Sequence, residues 1–271
     1  MRILFIGDIM GRAGRAALEK YLPKLKCDLK VDIAIVNGEN AAHGRGITES
    51  ICKQFYQWGT DCITTGNHIW DQRGIIAYIR RDPKLLRPAN YPENTPGQGI
   101  YIHKLQDGRK IAVINLMARL FMNPLDDPFR VMEILLRDYG PETGFNTVFV
   151  DFHGEATSEK MAFAHCFDGR ISAVVGTHTH VPTADAHLLP GGTAYMSDAG
   201  MTGDYDSVIG IRKDLSVQRF VNKMPGEHFV PASRNMMLCG ALILTNDITG
   251  NATAIQPLRI GSILPETMPD I

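Results

Sequence analysis

The stretch VVGTHTHVPTAD, residues 174–185, ends an apolar run and then places two histidines, His178 and His180, one residue apart. In extended backbone, side chains at positions i and i+2 point to the same side. Two neutral imidazoles side by side at the end of a strand make a suitable pair of metal ligands. An isolated pair of this kind is more often one hydrogen-bonded and one solvated histidine. The pair therefore predicts a metal site only if other strands deliver ligands to the same place.

Four other predicted strands end in residues of the same ligand chemistry. The polar residues that follow them are Asp8, Glu39 with Asn40, Asn67 with His68, and His153. Because sites in α/β proteins form outside the carboxyl ends of strands, these loops can meet in one crevice. Solubility alone does not explain five strands that each end in Asp, Glu, Asn or His. We therefore predict a metal site at these loops.

The candidate ligands are carboxylate oxygens, amide oxygens and imidazole nitrogens, without a thiolate. Such a mixed set suits manganese, iron or zinc and is not that of a structural zinc site. Six or seven ligands are too many for one tetrahedral ion, but they fit two ions bridged by a carboxylate. Two ions about 3.5–4 Å apart activate water and hold the oxygens of a phosphoester in line.

Alternating strands and helices in the first half of the chain favour βαβ units, while the second half indicates a mixed or second sheet. The predicted strands are 2–7, 32–37, 62–65, 99–105, 110–116, 147–152, 171–176, 194–197, 240–245 and 252–258. The predicted helices are 12–26, 48–58, 72–80, 128–139 and 158–167. We expect one domain over 1–271, in which the irregular stretch 199–230 forms a lid or partner-contact region over the cleft.

The bulk composition is that of a globular protein with a real core. The chain has 271 residues, 44% hydrophobic and 21% charged, with a net charge of −1, so no basic face indicates stable nucleic-acid binding. Its five scattered cysteines favour reduced thiols in a cytoplasmic protein. The opening MRILFIGD is too brief for a signal peptide. No window reaches the roughly 18 apolar residues of a membrane span.

The strand-end motifs resemble those of the calcineurin-like metallophosphoesterases. More narrowly, the chain resembles the YmdB family of bacterial phosphodiesterases in GDIMGRAGR, VNGENAAHGRGIT, TTGNHIWD, VINLMAR, VDFHGEATSEK and GTHTHVPTAD, from residue 3 to beyond 260. The resemblance implies a four-layer αββα sandwich, with two mixed sheets flanked by helices, and a dinuclear centre. It implies hydrolysis of phosphodiesters, with 2′,3′-cyclic nucleotides such as 2′,3′-cAMP favoured. The implied cofactors are two transition-metal ions, iron first, with manganese or zinc as alternatives.

The resemblance also assigns roles to the candidate residues. One ion would be held by Asp8, Glu39, Asn40 and His180. The other would be held by Glu39, Asn67, His153 and His178, so Glu39 would bridge the two. His68 would not bind metal, but would stabilise charge on the phosphate or protonate the leaving alkoxide.

Two positions depart from the pattern of the broader superfamily. Its first block is usually Asp-x-His, but Met10 stands here, and Asn40 is the obvious substitute for the missing ligand. Its asparagine–histidine block usually continues with an acid, whereas Ile69 follows His68. Asp71 is a nearby candidate to orient His68.

Two other functions stay open on the sequence. The same centre serves a phosphomonoesterase as well as a phosphodiesterase, and a metal-binding regulatory protein that acts through partners would retain the same ligands. The oligomeric state is also open, and a homo-oligomer is one of the alternatives.

Overall fold

The described part of the chain contains eleven strands and six helices. It is a computed structural model that describes residues 1–139, 144–145, 147–223 and 228–270. The strands are β1 (Arg2–Ile6), β2 (Ile33–Asn37), β3 (Cys62–Thr64), β4 (Ile100–Lys104), β5 (Lys110–Met117), β6 (Thr147–His153), β7 (Ala173–Thr177), β8 (His187–Leu188), β9 (Ala194–Met196), β10 (Leu238–Thr245) and β11 (Ala252–Ile260). The helices are α1 (Gly11–Asp28), α2 (Glu49–Gln57), α3 (Ile75–Tyr78), α4 (Pro128–Tyr139), α5 (Thr157–Cys166) and α6 (Lys213–Asn222).

The strands form two mixed sheets. The first has the order β11–β10–β1–β2–β3, and the second has the order β4–β5–β6–β7–β9–β8. The strands β1, β2 and β3 are parallel, as are β5, β6, β7 and β9, while the remaining strands pair antiparallel. The carboxyl ends of three strands in one sheet and four in the other are therefore available to build a site.

Alternation along β1 shows why the sheets stack in layers. Side chains of a strand point to opposite faces in turn. Ile3 and Phe5 belong to the core between the two sheets, where the Phe5 and Phe149 rings lie 5.2 Å apart. Leu4 and Ile6 belong to a second core, under α1 and α2. A third core lies between the other face of the second sheet and α4 and α5, which completes a four-layer αββα sandwich.

The predicted strands are all present, with ends that differ by two residues at most. The predicted helix 72–80 is wrong beyond the single turn Ile75–Tyr78. The residues before it form tight turns, in which the Asp71 amide donates to the His68 carbonyl oxygen, while the Gln72 side chain binds the Arg45 carbonyl oxygen.

Two elements were not predicted. The strand β8 has only two residues and lies at the edge of its sheet. The helix α6 lies inside the stretch 199–230 and buries only Ser216, whereas Val217, Phe220 and Val221 are exposed. It therefore lacks the apolar stripe facing a core that makes a helix recognisable in sequence. Among the described helices, none combines the length and the apolar character that a bilayer crossing needs.

Candidate metal centre

The loops after β1, β2, β3, β6 and β7 bring the candidate ligands together. The backbone amide of His178, after β7, donates to Asp8 Oδ2, after β1, at 2.9 Å. This contact joins the carboxyl ends of the two sheets. Asp8, Glu39 and His153 are almost fully buried, and His180 is 8% exposed. Burial of so many ionisable groups is costly unless they are paired or bind a cation.

One group of donors contains Asp8, Glu39 and His180, whose ligand atoms lie within 4.8 Å of one another. The Asn40 amide lies between two of them, at 3.0 Å from His180 Nε2 and 3.1 Å from Glu39 Oε1. The structure thus brings together the four residues that the resemblance assigns to one ion.

The second group contains Glu39, His153 and His178, again within 4.8 Å. Asn67 Oδ1 is 2.9 Å from His153 Nε2, and His178 Nδ1 is 3.1 Å from the same nitrogen. These are the four residues assigned to the other ion. Glu39 belongs to both groups, which is the arrangement that a bridging carboxylate requires.

An unpartnered oxygen in the first group fits a cation. Asp8 Oδ1 is buried and has no hydrogen-bond partner among the described residues, although Asp8 Oδ2 accepts from the His178 amide. A buried carboxylate oxygen left without a partner costs free energy, and a metal ion would remove that cost. The set of carboxylate, amide and imidazole donors suits divalent transition-metal ions.

Hydrogen bonds at Nδ1 orient two imidazoles so that Nε2 of each faces the donor groups. His180 Nδ1 lies 2.8 Å from the Ile209 carbonyl oxygen, which can only accept, so His180 donates from Nδ1 and keeps a lone pair on Nε2. Thr177 Oγ1 donates to Asp151 Oδ1 at 2.7 Å and accepts from His153 Nδ1 at 2.9 Å. His153 therefore donates from Nδ1, and Nε2 is the nitrogen that faces the other candidate ligands. Outer partners of this kind orient metal-binding histidines.

His178 faces the site with Nδ1, whereas His153 and His180 face it with Nε2. Its Nε2 lies 3.2 Å from Glu155 Oε2, and its Nδ1 faces His153 Nε2. Two imidazole nitrogens that face each other at this distance need a proton or a metal ion between them. A carboxylate behind the imidazole fixes the tautomer that binds through Nδ1.

The buried donors shift one another's pKa values. Burial alone would raise the pKa of Glu39, but the His153 imidazolium beside it lowers that pKa to about 2. Burial alone would lower the pKa of His153, but the Glu39 carboxylate raises it to about 9. Burial, followed by the charge of His153, lowers the pKa of His178 to about 3. A metal ion that binds here must displace the His153 proton.

His68 lies at the edge of both groups. Its Nδ1 is 3.0 Å from Asp71 Oδ2, and its side chain is 27% exposed. Its backbone amide is 3.4 Å from Glu39 Oε2. Asp71 therefore reaches His68 and can orient its imidazole.

Met10 is buried and packs against glycine residues. Side-chain atoms added at Gly44, Gly203 or Gly210 would touch it, and Met10 is only 2% exposed. The thioether is thus packed against three glycines, while Asn40 supplies a polar group beside His180.

Four residues around the site were not among the predicted site residues: Asp151, Glu155, Thr177 and Ile209. Asp151 did carry a signal, because a charged residue inside the apolar run TVFVDFH needs a partner. Ile209 carried none, because it acts through its backbone carbonyl.

Comparisons with known proteins give the family and the fold of the chain. A family model described as YmdB-like protein matches residues 4–258. A relative from Bacillus subtilis (strain 168), named 2′,3′-cyclic-nucleotide 2′-phosphodiesterase, is 48% identical over 260 residues, which cover 96% of this chain and 97% of the relative. A solved structure of a phosphatase from Mycoplasma pneumoniae has a TM-score of 0.89 at 33% identity and covers 96% of this chain and 93% of its own. The calcineurin-like phosphoesterase YfkN from Bacillus subtilis has a TM-score of 0.59 at 12% identity and covers 96% of this chain and 90% of its own.

The two stacked sheets with helices on both outer faces have the fold of the calcineurin-like phosphoesterases. Within that class, the chain belongs to the YmdB-like family. The fold and the family predicted from the motifs are thus confirmed. The two donor groups offer places for divalent metal ions.

Proposed function

We propose that this protein is a metal-dependent phosphodiesterase that hydrolyses 2′,3′-cyclic nucleotides at a centre of two metal ions. The observation that carries the proposal is the pair of buried donor groups that share Glu39. The name of the 48% identical Bacillus subtilis relative supports the reaction and the substrate class.

The proposed ligands are Asp8, Glu39, Asn40 and His180 for one ion, and Glu39, Asn67, His153 and His178 for the other. When bound, two such ions polarise the phosphate and lower the pKa of the attacking water. The carboxylate, amide and imidazole donors fit iron, manganese and zinc alike, and iron is the ion that the family resemblance places first.

His68 is the proposed general acid. Its Nδ1 is hydrogen-bonded to Asp71, so Nε2 is the atom left to donate a proton to the leaving oxygen of the ribose. Proton donation by a positioned imidazole lowers the barrier for leaving-group departure. The exposed edge of His68 gives the substrate access to this nitrogen.

The test compares substrates on one preparation of metal-loaded protein. We expect faster turnover of 2′,3′-cAMP than of 2′-AMP or 3′-AMP, and accumulation of 3′-AMP as the product of cleavage at the 2′ ester. Faster hydrolysis of the monophosphates would favour a phosphomonoesterase, the alternative that the Mycoplasma pneumoniae phosphatase supports.

The proposed location is the cytoplasm. All five cysteines are free, and two of them, Cys27 and Cys166, are exposed. Exposed thiols persist where the surroundings are reducing.

For residues 199–223 and 228–230, the described part of the stretch 199–230, we keep the proposed role of a lid or partner-contact region of a single domain; residues 224–227 lie outside the described residues. The contact of Ile209 with His180 supports a place beside the site.

A further inference from the structure

The turn that carries His178 and His180 has an unfavourable backbone conformation. His178 has φ 97° and His180 has φ 67°. Left-handed conformations cost residues with a Cβ roughly 1 kcal/mol or more, and they persist only when the surrounding structure enforces them. Both histidines are proposed ligands, one for each ion, so whatever enforces this turn also prepares both metal sites.

A buried ion pair lies directly behind the turn. Lys160, on α5, and Asp198, after β9, are 1% and 3% exposed at their side chains, and Lys160 Nζ is 3.0 Å from Asp198 Oδ2. Lys160 Nζ also donates to the Thr177 carbonyl oxygen at 2.8 Å. The ammonium group thus holds the residue that precedes His178.

Asp198 holds the residue between the two histidines. Its Oδ2 accepts from the Thr179 amide at 3.0 Å and from Thr179 Oγ1 at 2.8 Å. Its Oδ1 accepts from the Gly200 amide at 2.9 Å, and the next amide, of Met201, donates to the His180 carbonyl oxygen at 3.1 Å. The pair therefore connects both halves of the turn to the segment after β9.

Fold stability is a weak explanation for such a pair. Removing two charges from water costs several kcal/mol per ion, and apolar replacements of buried pairs are often neutral or stabilising. The hydrogen bonds of Lys160 and Asp198 converge on the backbone of residues 177–200, where the strained turn needs support.

We propose that Lys160 and Asp198 are positioning residues that hold the turn 177–180 in its metal-binding conformation before any ion arrives. The proposal rests on the proposed metal centre. Without the pair, the turn relaxes, and each ion must reorganise its histidine upon binding. Loss of outer-sphere support of this kind lowers metal affinity by roughly 10–100-fold.

The test is the double variant Lys160→Met/Asp198→Asn. It removes both charges together, so that no buried charge is left without its partner. Its matched control is Lys26→Met/Asp61→Asn. Lys26 Nζ also binds a carbonyl oxygen, of Gly59, and a carboxylate, of Asp61, both at 2.7 Å. Asp61 directly precedes β3, at the amino end of the strand and away from the metal centre.

Metal affinity is measured by competition with a chelator, and fold stability by melting in EDTA. We expect the Lys160/Asp198 variant to bind both ions at least ~10-fold more weakly, and excess metal to restore its turnover because every ligand remains. The control should keep wild-type affinity, whatever its melting temperature.

A folded Lys160/Asp198 variant with wild-type affinity for both ions would overturn the proposal and leave the metal centre intact. A wild-type protein that binds no metal would overturn the metal centre and this proposal with it. If the double variant does not fold, Thr179→Val and Thr179→Ser decide. Valine removes the hydroxyl that binds Asp198 and should weaken metal binding, whereas serine should keep it; equal affinity of the two would overturn the proposal.

Discussion

Gly66, directly before the candidate ligand Asn67, lies with its backbone against the second donor group. A Cβ there would overlap Glu39 Oε2 and His153 Nε2, which are the atoms that would hold an ion. We expect Gly66→Ala to reduce the metal content from two ions per chain to one or none and to abolish turnover, because the methyl group occupies the site of the ion.

The control for this variant is Gly74→Ala, in the same loop region. Gly74 has φ −61°, and an added Cβ there meets no atom within 4 Å. Elemental analysis of both purified variants checks the prediction. Two tightly bound ions in Gly66→Ala would contradict the proposed place of the second ion.

His68 provides a prediction about chemistry rather than metal binding. We expect His68→Ala to keep both ions and to lose roughly 10²–10⁴-fold in kcat, the usual contribution of a general acid. The control is His165→Ala, at an exposed histidine on α5. It should change neither the metal content nor kcat. Loss of metal from His68→Ala would make His68 a ligand instead.

The candidate ligands could be located from the sequence because each lies at the end of an apolar run, which marks the carboxyl end of a strand. The carboxyl ends of parallel strands then converge by geometry. Lys160 and Asp198 could not be located in this way. They are 38 residues apart, and their contact depends on how α5 lies against the sheet. Asp71 was an intermediate case, because its contact with His68 spans one local turn.

At the scale of elements, the turn 208–211 beside the metal centre has an unusual residue. Val208 and Ile211 exchange both backbone hydrogen bonds, at 2.9 and 3.0 Å, and the central residues Ile209 and Gly210 have φ 46° and 92°. Two-residue turns with positive φ favour Asn-Gly, and a β-branched residue there is strained. The carbonyl of Ile209 nevertheless binds His180, and its side chain is 55% exposed.

We expect Ile209→Asn to stabilise the protein by about 1 kcal/mol, because asparagine tolerates the left-handed conformation. Metal affinity should not change, since the carbonyl remains. The control is Ile248→Asn, at an isoleucine that is 91% exposed and has no positive φ; it should leave stability nearly unchanged. Melting in EDTA checks both, and a fall in stability for Ile209→Asn would show that the isoleucine side chain stabilises the turn.

Elements were predictable where a core face repeats along the sequence. Ten of the eleven described strands contribute residues to a core, and their ends were found within two residues, whereas the exposed two-residue strand β8 was missed. The helix α6 and the loop 68–74 were not found, because hydrogen bonds and turns, rather than an apolar face, determine their conformations.

At the scale of the whole molecule, the candidate ligands come together because the two sheets meet at their carboxyl ends. Asp8 and Glu39 come from the first sheet, while His153, His178 and His180 come from the second. Glu39 contacts His153 across the junction at 3.1 Å. The packing of the sheets through the core that contains Phe5 and Phe149 therefore fixes the distances between the carboxylates of the first sheet and the histidines of the second.

The most direct test of the two-ion account is a titration of the metal-free protein with metal, followed by turnover of 2′,3′-cAMP at each step. Both proposed groups share Glu39, and both ions are needed to hold the phosphate and activate water. The account predicts that turnover stays low up to one equivalent of metal per chain and rises to its maximum at two. Full turnover at one equivalent, or no turnover with two ions bound, would contradict it.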